Sequence, residues 1–272
     1  MQCSAIRIGA SGGYYDEPGE IPVDLKPLVL AATGKSVRRV GRFIQLALVG
    51  AGRCVAGSEL PSATAVYLAS GRGDMEVTVE VMEELFRDGQ PIRPLSFINT
   101  VSNSACFYVA KQLGIDGPSC FVSRSGASFQ AALQLAMLDL RLGRTRSALV
   151  GSVDIVLHPR EVHRQRLHLP PGTPVGEGSH WLWLSTALPD GPELADVVFF
   201  KDRESLDRWL DRRAFDPGTT LVCRDRLRPR AFYQTEAAAA IGDFLALPGD
   251  ARTLVHINGD DRQRFAVMVV RR

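Results

Sequence analysis

The apolar positions of this chain follow two rhythms, a short alternating or continuous run and a longer run with a helical period. Residues 4–9 read as a short strand, and the glycines and prolines of Ala10-Ser-Gly-Gly-Tyr-Tyr-Asp-Glu-Pro-Gly-Glu-Ile-Pro22 predict a loop after it. Helical spacing marks 39–53, and Thr64 to Ala69 predicts a buried strand stopped by Ser70-Gly-Arg-Gly-Asp74. An amphipathic helix is predicted over 75–85, and a second helical stretch over Phe97 to Gly114, with Gly114 as its cap.

The most regular stretch comes next. Ser119 to Ser123 is β-rich, Arg124-Ser125-Gly126 is a tight turn, Ala127 to Leu142 is a long apolar helix ended by Gly143, and Ser147 to Leu157 is a strand. Strand, helix and strand in succession imply a parallel crossover. Residues 158–178 read as loop, and 179–185 alternate as a strand. The grammar then restarts with strand 194–200, helix 203–213, strand 219–223, helix 234–246 and strands 252–257 and 264–270. The chain thus divides into 1–187 and a shorter second half, 188–272, of one α/β domain.

The 272 residues are enough for a sizeable core. Apolar residues make up 45% and charged residues 23%, which excludes disorder. A net charge of +2 gives no global attraction to nucleic acid or to an anionic membrane. No apolar run is long enough to span a bilayer, and the first residues lack a signal-peptide pattern. Cys3, Cys54, Cys106, Cys120 and Cys223 are scattered without a CxxC pair, so a disulfide framework and a zinc site are not expected. The expectation is a cytoplasmic protein with reduced thiols and no cofactor.

Gly50-Ala-Gly52 follows a helical stretch rather than a strand and fits a helix terminus better than a dinucleotide loop. Arg72-Gly73-Asp74 reads as a strand-to-helix turn. His158, His163 and His168 are five residues apart and do not share a helix face; with Asp154 and Glu161 they make a conceivable but poorly converging metal set. At Ser123-Arg-Ser125-Gly126, a strand, a sharp turn and a long helix form the geometry that holds a nucleophile at a helix N-terminus. Ser125 is the candidate, and the competing reading makes Ser123 or Ser125 a helix cap.

From this turn outward the chain resembles the β-ketoacyl synthases, which have the layered thiolase fold. Asn103 precedes Leu113-Gly-Ile-Asp-Gly-Pro118, a turn of the family. Gly143 to Asp154 matches its strand after the nucleophile helix, through Leu149-Val150-Gly151 and Asp154. Gly176-Glu177-Gly178, Arg42-Phe43-Ile44-Gln45-Leu46-Ala47 and Ser70-Gly71-Arg72-Gly73 match as well, so the likeness covers roughly the first 185 residues. The departures fall on the chemistry. Gly126 stands at the position of the family's cysteine, and Tyr233, in Phe232-Tyr-Gln-Thr-Glu-Ala-Ala-Ala-Ala240, stands where a catalytic histidine belongs. The region of the other histidine, Thr219 to Asp225, has none, and the terminal segment lacks the family's Gly-Phe-Gly-Gly turn.

The resemblance therefore implies a protein that is not an enzyme. It is similar to a chain-length factor, such as the short subunits of aryl-polyene-type pathways, and forms a heterodimer with a catalytic ketosynthase subunit. The alternative is an acyltransferase or hydrolase using Ser125. Residues implied to wall an acyl tunnel or meet the partner are Val101, Asn103, Phe107, Tyr108, Cys120, Phe121, Val122, Arg124, Ser125 and Phe129. Arg160, Arg164, Arg166 and the run Arg224 to Arg230 are candidates for docking an acyl carrier protein, against the reading of a solvated or intra-protein salt-bridged surface.

Overall fold

A computed structural model describes residues 5–19, 21–224, 226–260 and 262–272. Ser4, the first residue of the predicted opening strand, and also Cys3 and Asp225, lie outside the described residues. The first-half elements are β1 (Arg7–Asp16), α1 (Lys26–Thr33), α2 (Arg42–Cys54), β2 (Ala65–Ala69), α3 (Met75–Phe86), α4 (Pro94–Thr100), α5 (Ser104–Leu113), β3 (Ser119–Val122), α6 (Ser128–Arg141), β4 (Ser147–Asp154), α7 (Arg160–Arg166) and β5 (Glu177–Ser185). Then come β6 (Glu193–Phe200), α8 (Arg203–Arg213), β7 (Thr220–Cys223), α9 (Ala237–Ala246), β8 (Thr253–Gly259) and β9 (Phe265–Arg271).

The strands form one sheet in the order β3-β2-β4-β5-β1-β6-β9-β8-β7. The pairing repeats itself about the β1–β6 junction, where among the described residues Arg7 is registered with Glu193. β1 is antiparallel to β5, β5 to β4, and β4 is parallel to β2; likewise β6 is antiparallel to β9, β9 to β8, and β8 is parallel to β7. The second half is reduced by one strand. β3, which pairs with β2, has no counterpart beside β7, where the described chain runs on to α9 without a strand. The crossover implied at 119–157 is present: α6 carries the chain from β3 to β4, on either side of β2.

Strand parity sorts the core into layers. Ala65, Tyr67, Ala148 and Val150 of the first half, with Leu254, Met268 and Val270 of the second, pack on α6 (Phe129, Leu133, Met137) and α9 (Ile241, Phe244). The alternate residues Val66, Leu68, Leu149 and Trp181 pack outward on α1, α2 and α5. In the second half Val255, Ile257, Val267 and Val269 pack outward on Leu206 of α8. Helices therefore alternate with strands in five layers, the α/β thiolase-like arrangement, with α6 and α9 in the middle.

Three expectations are corrected, and one helix lies where no element was predicted. β1 continues through the supposed loop to Asp16, because its glycines serve close packing rather than turning: a Cβ on Gly12 would lie 2.7 Å from Cys54 Cα. α1, in a stretch for which no element was predicted, carries Pro27 in its first turn, where proline is tolerated. The stretch 97–114 is two helices. Val101 is extended (φ −80°, ψ 103°), while the Thr100 and Ser104 hydroxyls donate to the Phe97 and Ile98 carbonyls. The segment 158–178 contains the seven-residue α7, whose one buried side chain, His163, gives no apolar period.

Close packing at Gly12 makes Gly12→Ala costly, by about 1–3 kcal/mol of unfolding free energy in urea titrations. Gly242→Ala, on α9 with only Ser11 Oγ at 4.0 Å, gains up to about 1 kcal/mol from helix propensity in the same assay.

Candidate functional site

The turn between β3 and α6 sits at the mouth of a cleft of about 870 Å³. Ser125 and Gly126 line one side; Arg224, Leu227, Phe232 and Gln234 line another; His256 and Asn258 complete it from β8. A second hollow of about 440 Å³ continues past the turn, between Arg124 and Phe199, Phe200 and Phe265. Asn258 Nδ2 donates to the Gly126 carbonyl at 2.7 Å and ties the end of β8 to the turn. Gly126 is spacious: an added Cβ would meet only Gln234 O at 3.8 Å and Asn258 Nδ2 at 4.0 Å.

Ser125 is exposed and holds a positive φ of 49°, rare for a residue with a Cβ. Neither Ser123 nor Ser125 caps α6. Ser128 Oγ accepts from Arg124 N at 2.7 Å and donates to Ser125 O at 2.6 Å, while Ser123 Oγ donates to Gly71 O. The Arg124 guanidinium stacks 4.4 Å from the Phe199 ring centroid.

Tyr233 is not brought to Gly126. Its side chain is buried beneath β5, where the hydroxyl meets His180 Nδ1 at 3.1 Å and the ring stacks on that imidazole. Gly178 makes room for it, since a Cβ there would approach the phenol ring to 2.6 Å. Burial pushes the Tyr233 phenol well above its ordinary value. Burial, followed by the Arg230 charge, pulls His180 down to about 4. Both groups are neutral near pH 7.

Asp154, at the end of β4, accepts four hydrogen bonds: from Ser70 Oγ (2.9 Å), Gly71 N (2.9 Å), Thr235 N (2.7 Å) and Thr235 Oγ1 (2.6 Å). Burial raises its carboxyl pKa, and those donors oppose the rise. His163 is likewise committed, its Nδ1 accepting from Leu157 N at 3.3 Å. Burial, then the charges of Arg72, His158, Arg164 and Arg166, lower His163 to about 4. Among the described residues no group of three His, Cys, Asp or Glu side chains is placed to hold a metal. Glu177 forms a buried two-pronged pair with Arg42, which joins two of the motifs that carried the resemblance.

The other candidates scatter. Phe129 is fully buried in the central layer, packed as core. Cys120 and Val122 pack against that same layer from β3, and Phe121 and Tyr108 against the outer one. Val101, Asn103 and Phe107 face solvent, and Phe107 meets Tyr108 edge-on at 5.4 Å. None of the α5 candidates lines the cleft at Gly126. Arg160 donates to Pro18 O, and Arg164 to Thr173 O and Glu161. In the other basic run Arg226 pairs with Glu236, while Arg228 and Arg230 pair with Asp243. Sequence reading missed His256 and Asn258 as cleft residues. The alternation of β8 gives the signal, since both lie two apart on the face of Leu254.

A nine-stranded sheet layered with central helices, and a helix N-terminus at a cleft between its halves, define a protein of the ketosynthase-like thiolase class. The profile of the beta-ketoacyl synthase N-terminal domain matches residues 18–167, and the chain belongs to that family. Comparison with curated proteins finds no match. Solved structures of similar fold include the ishigamide ketosynthase/chain length factor, with 16% identity over 98% of this chain and 99% of that one at a TM-score of 0.70. A beta-ketoacyl synthase from Burkholderia phymatum aligns at 13% identity over 99% of both chains, TM-score 0.71. The ketosynthase ApeO in complex with its chain length factor ApeC, from Xenorhabdus doucetiae, aligns at 13% identity over 98% and 99%, TM-score 0.60. Among the described residues no helix is long and apolar enough to cross a membrane.

Asp74 gives this region a pH dependence. It caps α3 through Val77 N (3.3 Å), is 2% exposed, and has its carboxyl pushed to about 7, chiefly by burial and then by Glu76 and Glu80. The folded protein thus holds a proton that the unfolded chain, with a carboxyl near pKa 3.9, has released between about pH 4 and 7. Its contribution to stability is present below that window and lost as pH rises through 7. Asp74→Asn keeps the cap and removes the charge, so urea titrations at pH 8 show it more stable than wild type, and the difference shrinks at pH 5.

Proposed function

We propose that this protein is a non-catalytic, chain-length-factor-like partner of a β-ketoacyl-carrier-protein synthase in type II polyketide, polyene or fatty-acid-type biosynthesis. The observation that carries the reading is Gly126: the turn, the helix behind it and the cleft are in place, yet the position of the thiol is an open glycine. Thioester formation needs a thiolate or an activated hydroxyl beside a base. The residue at the histidine position, Tyr233, is turned away into the sheet with a raised phenol pKa.

The partnership rests on β3. This strand closes one end of the sheet and pairs on one side only, with β2. Its edge carries Cys120, Phe121 and Val122 with no charge, and exposed apolar side chains flank it, Phe107 on α5 and Leu138 on α6. Natural sheets rarely leave such an edge uncovered. A two-fold contact along it places Phe107 against the partner, where its bulk limits the length of the partner's growing chain. The carrier protein then docks chiefly on the synthase, because most of the arginines first considered for it already hold carbonyls and carboxylates of this chain. On this reading the protein works in the cytoplasm with its cysteines reduced.

Size-exclusion chromatography of the co-expressed pair is expected to give a complex that Phe121→Asp or Val122→Asp splits; a stable monomer beside its synthase would overturn the partnership. Ser125→Ala separates partner from enzyme. The mutant complex keeps its condensing activity within a few-fold, and intact-protein mass spectrometry finds no acyl adduct on this subunit after incubation with acyl thioesters. A collapse by orders of magnitude, or a stoichiometric adduct, favours the Ser125 enzyme, which the shared cleft of Ser125, His168 and His256 makes the second reading.

A further inference from the structure

His163, 7% exposed, is buried under α7 with only half of its ring in use. Its Nδ1 accepts from Leu157 N, so the neutral ring carries its proton on Nε2. That N–H has no hydrogen-bond partner among the described residues. His163 lines a cavity of about 30 Å³ between α7, the end of β4 and the loop that starts α3. Met75, Ile155, Leu157 and Leu167 form its apolar wall, and Arg72 and Arg166 bring two guanidiniums to it. Neither arginine makes an ion pair or a side-chain hydrogen bond among the described residues. Arg160 and Arg164, the neighbours of Arg166 on α7, are by contrast held by carbonyls.

The surroundings carry an excess of positive charge. After burial, the groups that weigh on His163 are Arg72, His158, Arg164 and Arg166, all cationic when charged. Glu161 offsets Arg164. Asp154 also lines the cavity, but its two oxygens are committed to Ser70, Gly71 and Thr235. Water in the cavity satisfies the free donors and leaves the charge unbalanced, whereas an anion does both. A space of this measure is that of about two waters, which suits a carboxylate or phosphate head and not a whole acyl chain. Leu167 and Gln234 line both this cavity and the large cleft, so the remainder of a longer ligand has room beside it.

We propose that the cavity under α7 is a binding site for a small oxyanion, a carboxylate or a phosphate, held by the Arg72 and Arg166 guanidiniums and the His163 Nε2–H. The site belongs to this chain alone and is independent of the partnership proposed above. The test is isothermal titration calorimetry near pH 7, where His163 is neutral, with thermal melts alongside. Inorganic phosphate, acetate and hexanoate are each compared with chloride at a constant ionic strength of about 150 mM. The proteins are wild type, Arg72→Gln/Arg166→Gln, and Arg208→Gln on α8 as a control outside the cavity. Arg72 is exposed and Arg166 half-buried, and circular dichroism verifies that the variants fold.

Wild type is expected to bind at least one of these oxyanions with a Kd of about 1 mM or tighter and to melt at a higher temperature with it than with chloride. The arginine pair is expected to lose this binding at least tenfold, and Arg208→Gln to keep it. Phosphate bound more tightly than either carboxylate identifies a free phosphate as the source. Hexanoate bound more tightly than acetate, and only when both arginines are present, identifies the end of a chain that lies in the cleft. An absence of binding and of any melting shift beyond chloride overturns the proposal and leaves the cavity to water. Equal binding by wild type and the arginine pair overturns it as well.

Discussion

The carboxylate of Asp154 joins what the rest of the molecule needs to have joined. It stands at the end of β4 and grips the Ser70–Gly71 loop after β2 with one oxygen and Thr235, ahead of α9, with the other. A carboxylate is costly to bury, and only a full set of donors offsets that cost. Here each oxygen has two. The second half's central helix is placed relative to the first half by this clasp together with the Val175–Phe232 bridge, the Asn258–Gly126 and Tyr233–His180 hydrogen bonds and apolar packing. Gly71 keeps the approach close: a Cβ there would collide with Gln234 at 2.2 Å.

The consequences reach the cleft in two short steps. Thr235 fixes Gln234, whose carbonyl bounds the space at Gly126, and Ser70 fixes the loop that begins α3 with the Asp74 cap. One buried carboxylate thus sets both the cleft and the start of α3. The same carboxylate cannot also serve a metal, because all its accepting positions toward the protein are filled.

Much of the fold was legible in the sequence because its strands carry apolar side chains on both faces and its helices have a strong period. The layered architecture and most element positions followed from that. What was not legible has a common cause. Gly12-Gly13 reads as a loop, but Gly12 lies under α2 at Cys54 and Gly13 against His180 of β5; nothing local distinguishes close packing from a turn. α7 has one buried side chain and no period to detect. At the candidate site, sequence placed Gly126 in the turn, but the orientation of Tyr233 was hidden, because the space that takes its ring is made by Gly178 on a strand more than fifty residues away. Of the α7 arginines, Arg160 and Arg164 hold carbonyls of this chain, which favours the intra-protein reading of that basic run over docking.

The turn at Gly126 is held by main-chain atoms and by neighbouring side chains, not by a side chain at position 126. The Ser128 hydroxyl bonds across the turn to Arg124 and Ser125, and Asn258 holds the Gly126 carbonyl; both interactions use backbone atoms that any residue supplies. A side chain at Gly126 would project into open space at ordinary contact distances, so its removal leaves no buried void and breaks no hydrogen bond. Chemistry at this turn and stability of the turn are separable. On the reading proposed above, a subunit that loses the first and keeps the second still offers a partner the same strand edge, because that edge is built by β3 and its flanking helices.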